Sequence, residues 1–290
     1  LYVTGYTVSD NFPFTPGSFQ TTNRSPIGGN GFVVKVAPAG DKAVFSTYLG
    51  GSIDDDLYGI TLDRNRNIYV VGGSVSANYP TVGAYQPTNR GNVDAVLTKL
   101  SAAGTGILFS TFIGSSLQEI AYGVEVDGND NVFVVGVTAS PQFPTTPNAI
   151  KKELQGPTDM FLMKFDASGA TVQSSTLFGG NRTEEPFRVA VDRSGSLYVV
   201  GTTGSSGITP VDAVQPESGG GNDAFVLKVN PAMDAVQMFT YLGGSSDDLG
   251  LTMALDGSGR VLLAGLAIST NLATTPNAAQ RSSGGGADGF

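Results

Sequence analysis

The sequence predicts an all-β fold, a β-propeller built of four-stranded antiparallel blades, and three observations carry that prediction. Asp63, Asp127, Asp192 and Asp256 stand 64, 65 and 64 residues apart. Each lies nine residues before a glycine (Gly72, Gly136, Gly201, Gly265) and 28 after a lysine (Lys35, Lys99, Lys164, Lys228). Spacing this regular marks one structural unit copied along the chain. Between the landmarks, short apolar stretches alternate with period two and are rich in Val, Ile, Phe and Tyr, as half-buried strands require. Four such stretches fit into each ~64-residue copy with no helix between them, which is the make-up of a propeller blade. A linear β-solenoid is the competing architecture, but its coils are usually shorter and parallel.

Taken in order, strand A of the second copy places Tyr58, Ile60 and Leu62 in alternation with Gly59 and Thr61. Its later counterparts are Tyr122, Val124, Val126, then Phe187, Val189, Val191, then Leu251, Met253, Leu255. The repeated Asp and a polar turn follow, then strand B: Ile68 to Gly72, Val132 to Gly136, Leu197 to Gly201, Val261 to Gly265. A proline- and threonine-rich loop comes next, as in Phe12-Pro13-Phe14-Thr15-Pro16 and Phe143-Pro144-Thr145-Thr146-Pro147. Proline cannot continue a central strand, because it has no N–H to give the ladder. Strand C holds the repeated Lys (Gly31 to Val36, Asp94 to Leu100, Asp159 to Phe165, Asp223 to Val229), and strand D ends in glycine (Phe45 to Gly51, Phe109 to Gly114, Ser174 to Gly180, Met238 to Gly244). Nearly all length variation falls between the strand-B Gly and the strand-C Lys, so the B–C loop is expected to lie free on a surface.

The approximate units are 1–51, 52–114, 115–180, 181–244 and 245–290 within one propeller or propeller fragment, the last unit incomplete. Leu1 falls in a strand B with no strand A before it. Asp288-Gly289-Phe290 matches the start of strand C, and its Lys would come just after residue 290. The reading is therefore of a chain cut mid-blade at both ends, part of a longer array.

Composition narrows the function classes. Only 14% of the 290 residues are charged, against roughly 25% in typical soluble domains. A net charge of −9 argues against a nucleic-acid partner, which needs Lys/Arg stripes. No apolar run reaches the ~18–20 residues of a membrane-spanning helix. The chain contains no His and no Cys. Ser-His-Asp and Cys-His catalysis and zinc sites ligated by His or Cys are thereby excluded.

The blocks resemble the bacterial SBBP (beta-propeller) repeat. The resemblance is carried by Asp223-Ala224-Phe225-Val226-Leu227-Lys228, by Thr240-Tyr241-Leu242-Gly243-Gly244 followed by Asp247-Asp248, by Val189 to Asp192 with Leu197 to Thr202, and by Phe12 to Gln20. It covers essentially the whole chain and implies a propeller on exported or cell-surface bacterial proteins. It brings no catalytic residue with it. Departures are local: the third acidic stretch reads Asn181-Arg182-Thr183-Glu184-Glu185, and the last two B–C loops lack the aromatic-Pro pair.

Three recurrent polar positions are candidates for function. Asp63, Asp127, Asp192 and Asp256 are read as Asx turns that close tight hairpins. Asp127 to Asn131 superficially resembles an EF-hand loop, but Val132 and Thr138 occupy the positions that would need Gly and Glu. The strand-C lysines are expected to snorkel or to pair with a nearby carboxylate. The acidic clusters after strand D include Asp54, Asp55, Asp56, Glu184, Glu185, Asp247 and Asp248, with Glu119 as the lone counterpart in the third copy. Read as loop residues gathered on one face, these seven are candidate Ca²⁺ ligands, since Ca²⁺ takes carboxylate and carbonyl oxygens.

The expected function is that of a non-enzymatic, extracellular structural or protein-interaction scaffold without a cofactor. Its partners would be protein subunits of a surface assembly or the rest of a longer chain. The alternatives are a glycan- or Ca²⁺-dependent binding module on the acidic loop face, and a glycosidase or lyase with a central-channel site. Against the enzyme, the acidic pairs recur in nearly every copy, whereas catalysis normally breaks the symmetry at one place.

Overall fold

The computed structural model describes residues 1–290 as eighteen strands and no helix. The first sheet contains β1 (Tyr2–Thr7), β2 (Asn30–Val36) and β3 (Ala43–Leu49). The second contains β4 (Asp55–Leu62), β5 (Ile68–Ser74), β6 (Asp94–Leu100) and β7 (Ile107–Ile113). The third contains β8 (Glu119–Val126), β9 (Val132–Thr138), β10 (Asp159–Phe165) and β11 (Val172–Phe178). The fourth contains β12 (Glu184–Val191), β13 (Leu197–Thr203), β14 (Asp223–Val229) and β15 (Val236–Leu242). The fifth contains β16 (Asp248–Leu255), β17 (Val261–Ala267) and the short β18 (Asp288–Gly289). In every sheet the strands neighbour one another in chain order, the arrangement that short antiparallel connections dictate.

The chain divides into two compact units, Leu1–Pro144 with Met163–Gln173, and Thr145–Leu162 with Ser174–Phe290. In the first, Val33, Phe45, Leu49, Leu57, Ile68, Val70, Val96 and Phe112 form one buried cluster between the first two sheets. In the second, Phe239 anchors the packing, with its ring centroid 5.4 Å from Phe178, 6.0 Å from Phe225 and 5.0 Å from Tyr241. Strands β5 and β13 are buried along their whole length. That is why Ile68 to Val71 and Leu197 to Val200 run apolar without a break, as strands covered on both faces do.

The hairpin joining the first two strands of each of the last four sheets is closed by the repeated Asp. Asp63 Oδ1 accepts the Asn67 N–H at 2.8 Å, and the Asp63 N–H donates to Asn67 O at 3.1 Å. Asp127, Asp192 and Asp256 repeat the pattern with Asn131, Ser196 and Arg260. The same turn needs one residue with positive φ. Arg66 and Asp130 take it at 63° and 62°, while Gly195 and Gly259 fill that place without strain.

Three expectations need correction. First, the acids of the D–A loops are largely strand residues. Asp55, Asp56, Glu119, Glu184, Glu185 and Asp248 lie on β4, β8, β12 and β16, where Asp55, Glu119 and Glu184 face Ser74, Thr138 and Thr203 across the ladder. A carboxylate opposite a hydroxyl extends the pairing that a charge would otherwise end. Second, the alternation of strand A breaks at a β-bulge, where register shifts between Leu57 and Gly59, Ala121 and Gly123, Pro186 and Arg188, and Gly250 and Thr252. Tyr58, Tyr122, Phe187 and Leu251 are the extruded residues, and Tyr58 and Leu251 are exposed. The bulge on an edge strand also admits Pro186.

Third, the B–C loop is not free. Val82 pairs with Ser110, Lys151 with Leu177, and Val211 with Phe239 in isolated bridges. Further bonds run from the Tyr48, Phe112 and Tyr241 amides to the carbonyls of Gln20, Gln86 and Gln215. The loop therefore lies along the last strand of its own sheet and covers an edge that would otherwise template aggregation.

Candidate functional site

The most densely bonded polar groups lie at the junctions between successive sheets, and four junctions share one plan. The strand-C side contributes its first residue: Asn30, Asp94, Asp159 or Asp223. The following sheet contributes the first acid of its first strand: Asp55, Glu119, Glu184 or Asp248. All eight are fully buried. The two side chains approach at the last glycines of strand D. A methyl group added to Gly114 would lie 2.6 Å from both Asp94 Cγ and Glu119 Oε2, and one on Gly179 would lie 2.4 Å from Glu184 Oε2 and 2.6 Å from Asp159 Cγ. Glycine is required there because the carboxylates occupy the space.

Each acid is surrounded by donors. Asp55 accepts hydrogen bonds from Ser74 Oγ at 2.5 Å and Ser76 Oγ at 3.0 Å, and from the Gly51 N–H at 2.6 Å. Glu119 accepts from Thr138 Oγ1 and the Ser115 N–H, and Glu184 from Thr203 Oγ1 and the Gly180 N–H. Asp248 accepts from Ser269 Oγ at 2.6 Å, the Gly244 N–H at 2.6 Å and the Ile268 N–H at 3.1 Å. On the other side a glutamine bridges the partners: Gln86 Nε2 donates to Asp94 Oδ2 at 2.6 Å while its Oε1 receives the Gly114 N–H. Lys151 replaces that glutamine at the third junction and donates to the Gly179 carbonyl.

Two buried carboxylates side by side raise the cost of charge. Burial pushes Asp55 up to about 6 and Glu184 up to about 7, with the neighbouring Asp159 charge a lesser cause for Glu184. Asp94, Asp159 and Asp223 are likewise raised, by burial first. At the first junction an amide removes the repulsion, since Asn30 Nδ2 donates to Asp55 Oδ2 at 3.2 Å and to the Gly51 carbonyl at 3.0 Å. At the fourth junction Asp223 Oδ2 receives Ser218 Oγ and the Gly219 N–H, but buried Oδ1 makes no well-formed hydrogen bond. Gly91 and Gly156 supply N–H groups to the corresponding oxygens of Asp94 and Asp159. The Gly219-Gly220-Gly221 run, with φ of 146° and 43° at its last two residues, takes a different path.

The seven candidate calcium ligands thus fall into two sets. Asp55, Glu184 and Asp248 are buried acceptors whose lone pairs are taken by N–H and O–H donors. Asp54, Asp56, Glu185 and Asp247 reach or approach the surface. Asp54 accepts from the Gly29 N–H and Tyr6 OH, Asp56 from Tyr58 OH, and Asp247 from the Asn222 N–H. No group of three or more Asp or Glu residues converges to form a metal cage.

The sequence reading passed over the strand-C acids, the glutamines and the serines. The signal was there: Ser76, Ser140, Ser205 and Ser269 recur 64, 65 and 64 apart, as the turn Asp does. Ser76 and Ser269 bond a buried acid, and Ser140 and Ser205 cap the Leu117 and Arg182 amides.

The repeated lysines sit against the hairpin on the opposite side. Lys99 Nζ lies 3.1 Å from Asp63 Oδ2 and 4.8 Å from the Tyr69 ring centre, and Lys228 lies 3.8 Å from Asp192 and 4.9 Å from the Tyr198 ring. Lys35 and Lys164 cover Tyr2 and Phe133. Although burial opposes it, hydrogen bonds from Asn67 and Lys99 hold Asp63 below the usual carboxylate range.

Comparison with known proteins places this architecture. Among curated proteins, none matches the sequence. A crystal structure of a protein of unknown function from Dyadobacter fermentans DSM 18053 is similar over 87% of this chain and 68% of its own, at 13% identity and a TM-score of 0.52. At that identity the likeness concerns the fold alone. Residues 44–80 match the family model described as SBBP, beta-propeller repeat. They run from β3 through the first junction to β5 and its following loop, so residues 44–80 of this chain carry an SBBP beta-propeller repeat.

Proposed function

We propose that the protein is a non-enzymatic β-propeller of four-stranded blades that serves as a structural or protein-interaction scaffold, secreted or displayed at a bacterial cell surface. One observation supports this most: the polar residues that repeat most regularly are spent on holding sheet to sheet. Carboxylate pairs that a glycosidase would present to a sugar are here fully buried and bonded to amides and hydroxyls. The exported setting rests on the family resemblance. It agrees with the low charge density.

The test combines three measurements on the purified protein. A glycan array, a panel of glycosidase and lyase substrates, and melting curves with and without calcium or a chelator are expected to give no binding, no turnover and no shift. A saturable glycan signal, or a calcium-dependent rise in melting temperature, would move the function to a binding module on the acidic face.

A further inference from the structure

The bulges on β4 and β8 extrude Tyr58 and Tyr122, and the two rings meet with centroids 5.2 Å apart at 46°. They come together because the next residue after Tyr58 is Gly59. A methyl group there would lie 2.7 Å from the Tyr122 carbonyl oxygen, so the glycine lets β8 approach. Re-aiming a side chain out of the ladder is what a bulge does. Tyr58 is 49% exposed, a large share for an aromatic ring held in place by a second ring.

The Tyr58 hydroxyl donates to Asp56 Oδ2 at 3.3 Å. Burial first, and the neighbouring Asp54 charge after it, hold the Asp56 carboxyl above its ordinary value against that hydrogen bond. Burial and then Asp56 push the Tyr58 hydroxyl up to about 12, so it stays a neutral donor. No Lys or Arg of the chain is among the groups that act on Asp56 or Tyr58. Elsewhere the chain supplies the cation itself. Lys99 Nζ sits between Asp63 Oδ2, at 3.1 Å, and the Tyr69 ring centre, at 4.8 Å; Lys228 does the same for Asp192 and Tyr198, at 3.8 and 4.9 Å. Asp56 and Tyr58 present the same carboxylate and ring at the surface with no cation of the chain seated on them.

We propose that Asp56 and the exposed face of Tyr58, backed by Tyr122, receive an arginine side chain from a partner protein. The proposal rests on the protein-interaction role given above and names the chemistry of the partner: an exposed basic segment. Arginine suits the site because its plane stacks on a ring while its N–H fork reaches a carboxylate. Lysine would supply the charge without the fork.

The experiment titrates the chain as it stands into a fluorescein-labelled peptide of alternating Arg and Gly, followed by anisotropy. Binding should saturate and weaken with added salt, and the same peptide with neutral citrulline for Arg should bind about tenfold or more weakly. Asp56→Asn and Tyr58→Leu should each weaken binding about tenfold with the melting temperature nearly unchanged, since Leu251 already fills the equivalent bulge of the fifth sheet. Tyr58→Phe keeps the ring and should keep most of the binding, which tests the site should Tyr58→Leu fail to fold. Asp41→Asn, at an exposed acid elsewhere in the chain, removes the same charge and should change nothing. Absence of saturable binding, equal binding by the citrulline peptide, or equal weakening by Asp41→Asn would overturn the proposal and leave the scaffold reading standing. Glycan binding that Tyr58→Leu abolishes would give the ring to a sugar and overturn both.

Discussion

Replacing Asp223 by Asn isolates the energetics of the sheet junction, because nature has made the same exchange at the first junction. Asp223 is fully buried, its Oδ2 accepts Ser218 Oγ at 2.6 Å and the Gly219 N–H at 2.8 Å, and its Oδ1 makes no well-formed hydrogen bond, with the Gly220 N–H the nearby backbone donor to the carboxyl. An unsatisfied buried acceptor costs about 1–3 kcal/mol. In Asp223→Asn the amide oxygen keeps both existing bonds, and the new Nδ2 points where Asn30 Nδ2 finds the Gly51 carbonyl and Asp55. Gly244 and Asp248 hold those places at the fourth junction.

The variant should be more stable by about 1–2 kcal/mol near neutral pH, or about 2–4 °C in melting temperature for each kcal/mol. Urea unfolding should show the gain as a higher midpoint at an unchanged slope. Burial raises the folded-state pKa of Asp223, so the wild-type carboxyl takes up a proton more readily than when unfolded. Once protonated it can donate as the amide does, and the advantage of Asn should shrink as pH falls. Asp94→Asn is the control of opposite sign. Asp94 Oδ1 accepts the Gly91 N–H at 3.0 Å, so an amide there sets donor against donor and should destabilise by about 1–3 kcal/mol. A loss of stability in Asp223→Asn at neutral pH, or a gain that persists undiminished in acid, would refute the reasoning.

The pH profile of the wild type should be tilted toward acid. Asp55 and Glu184 have folded values raised to about 6 and about 7, so their contribution is complete below pH about 4 and is lost as pH rises through 6–7. Each is worth on the order of 3 kcal/mol at 1.36 kcal/mol per unit, and thermal melts at stepped pH should fall across that window. Gly201→Ala places a methyl 2.1 Å from Glu185 O and should cost about 3 kcal/mol or more, read by urea titration; a cost under about 1 kcal/mol would mean that the first strand can shift. Lys99→Met strips the Asp63 side chain, 1% exposed, of its cationic partner at 3.1 Å and should cost about 1–3 kcal/mol, whereas Arg260→Ala, at a side chain 80% exposed beside Asp256, should cost about 0.5 kcal/mol or less. Similar losses in these two variants would show that burial does not govern the pairs.

What could be read from the linear sequence followed from periodicity. Alternating Val, Ile, Phe and Tyr dictates strands whatever surrounds them, and a ~64-residue copy number repeats that outcome. Local chemistry likewise dictated the Asx turns at Asp63, Asp127, Asp192 and Asp256, since their bonds reach only four residues along the chain. The lysines were legible for a related reason: an amphipathic side chain on a half-buried strand has few places to put its charge, and a ring or a turn carboxylate is one.

Tertiary structure alone decided the role of the acids. Asp55 looks like a loop residue in an Asp-rich run until Ser74, Ser76 and Asn30, each 19 or more residues away, gather around it. Whether a carboxylate binds an ion in solvent or locks two sheets in the dark depends on who else arrives, and sequence spacing does not contain that distance. The same holds for the B–C loop, whose variable length suggested freedom while its glutamine amides and carbonyls bind the last strand. The repeat by itself determined that strands and Asx turns alternate and in what order, because those forces are local. The fold decided which polar groups are buried together, because desolvation is set by neighbours distant in the chain.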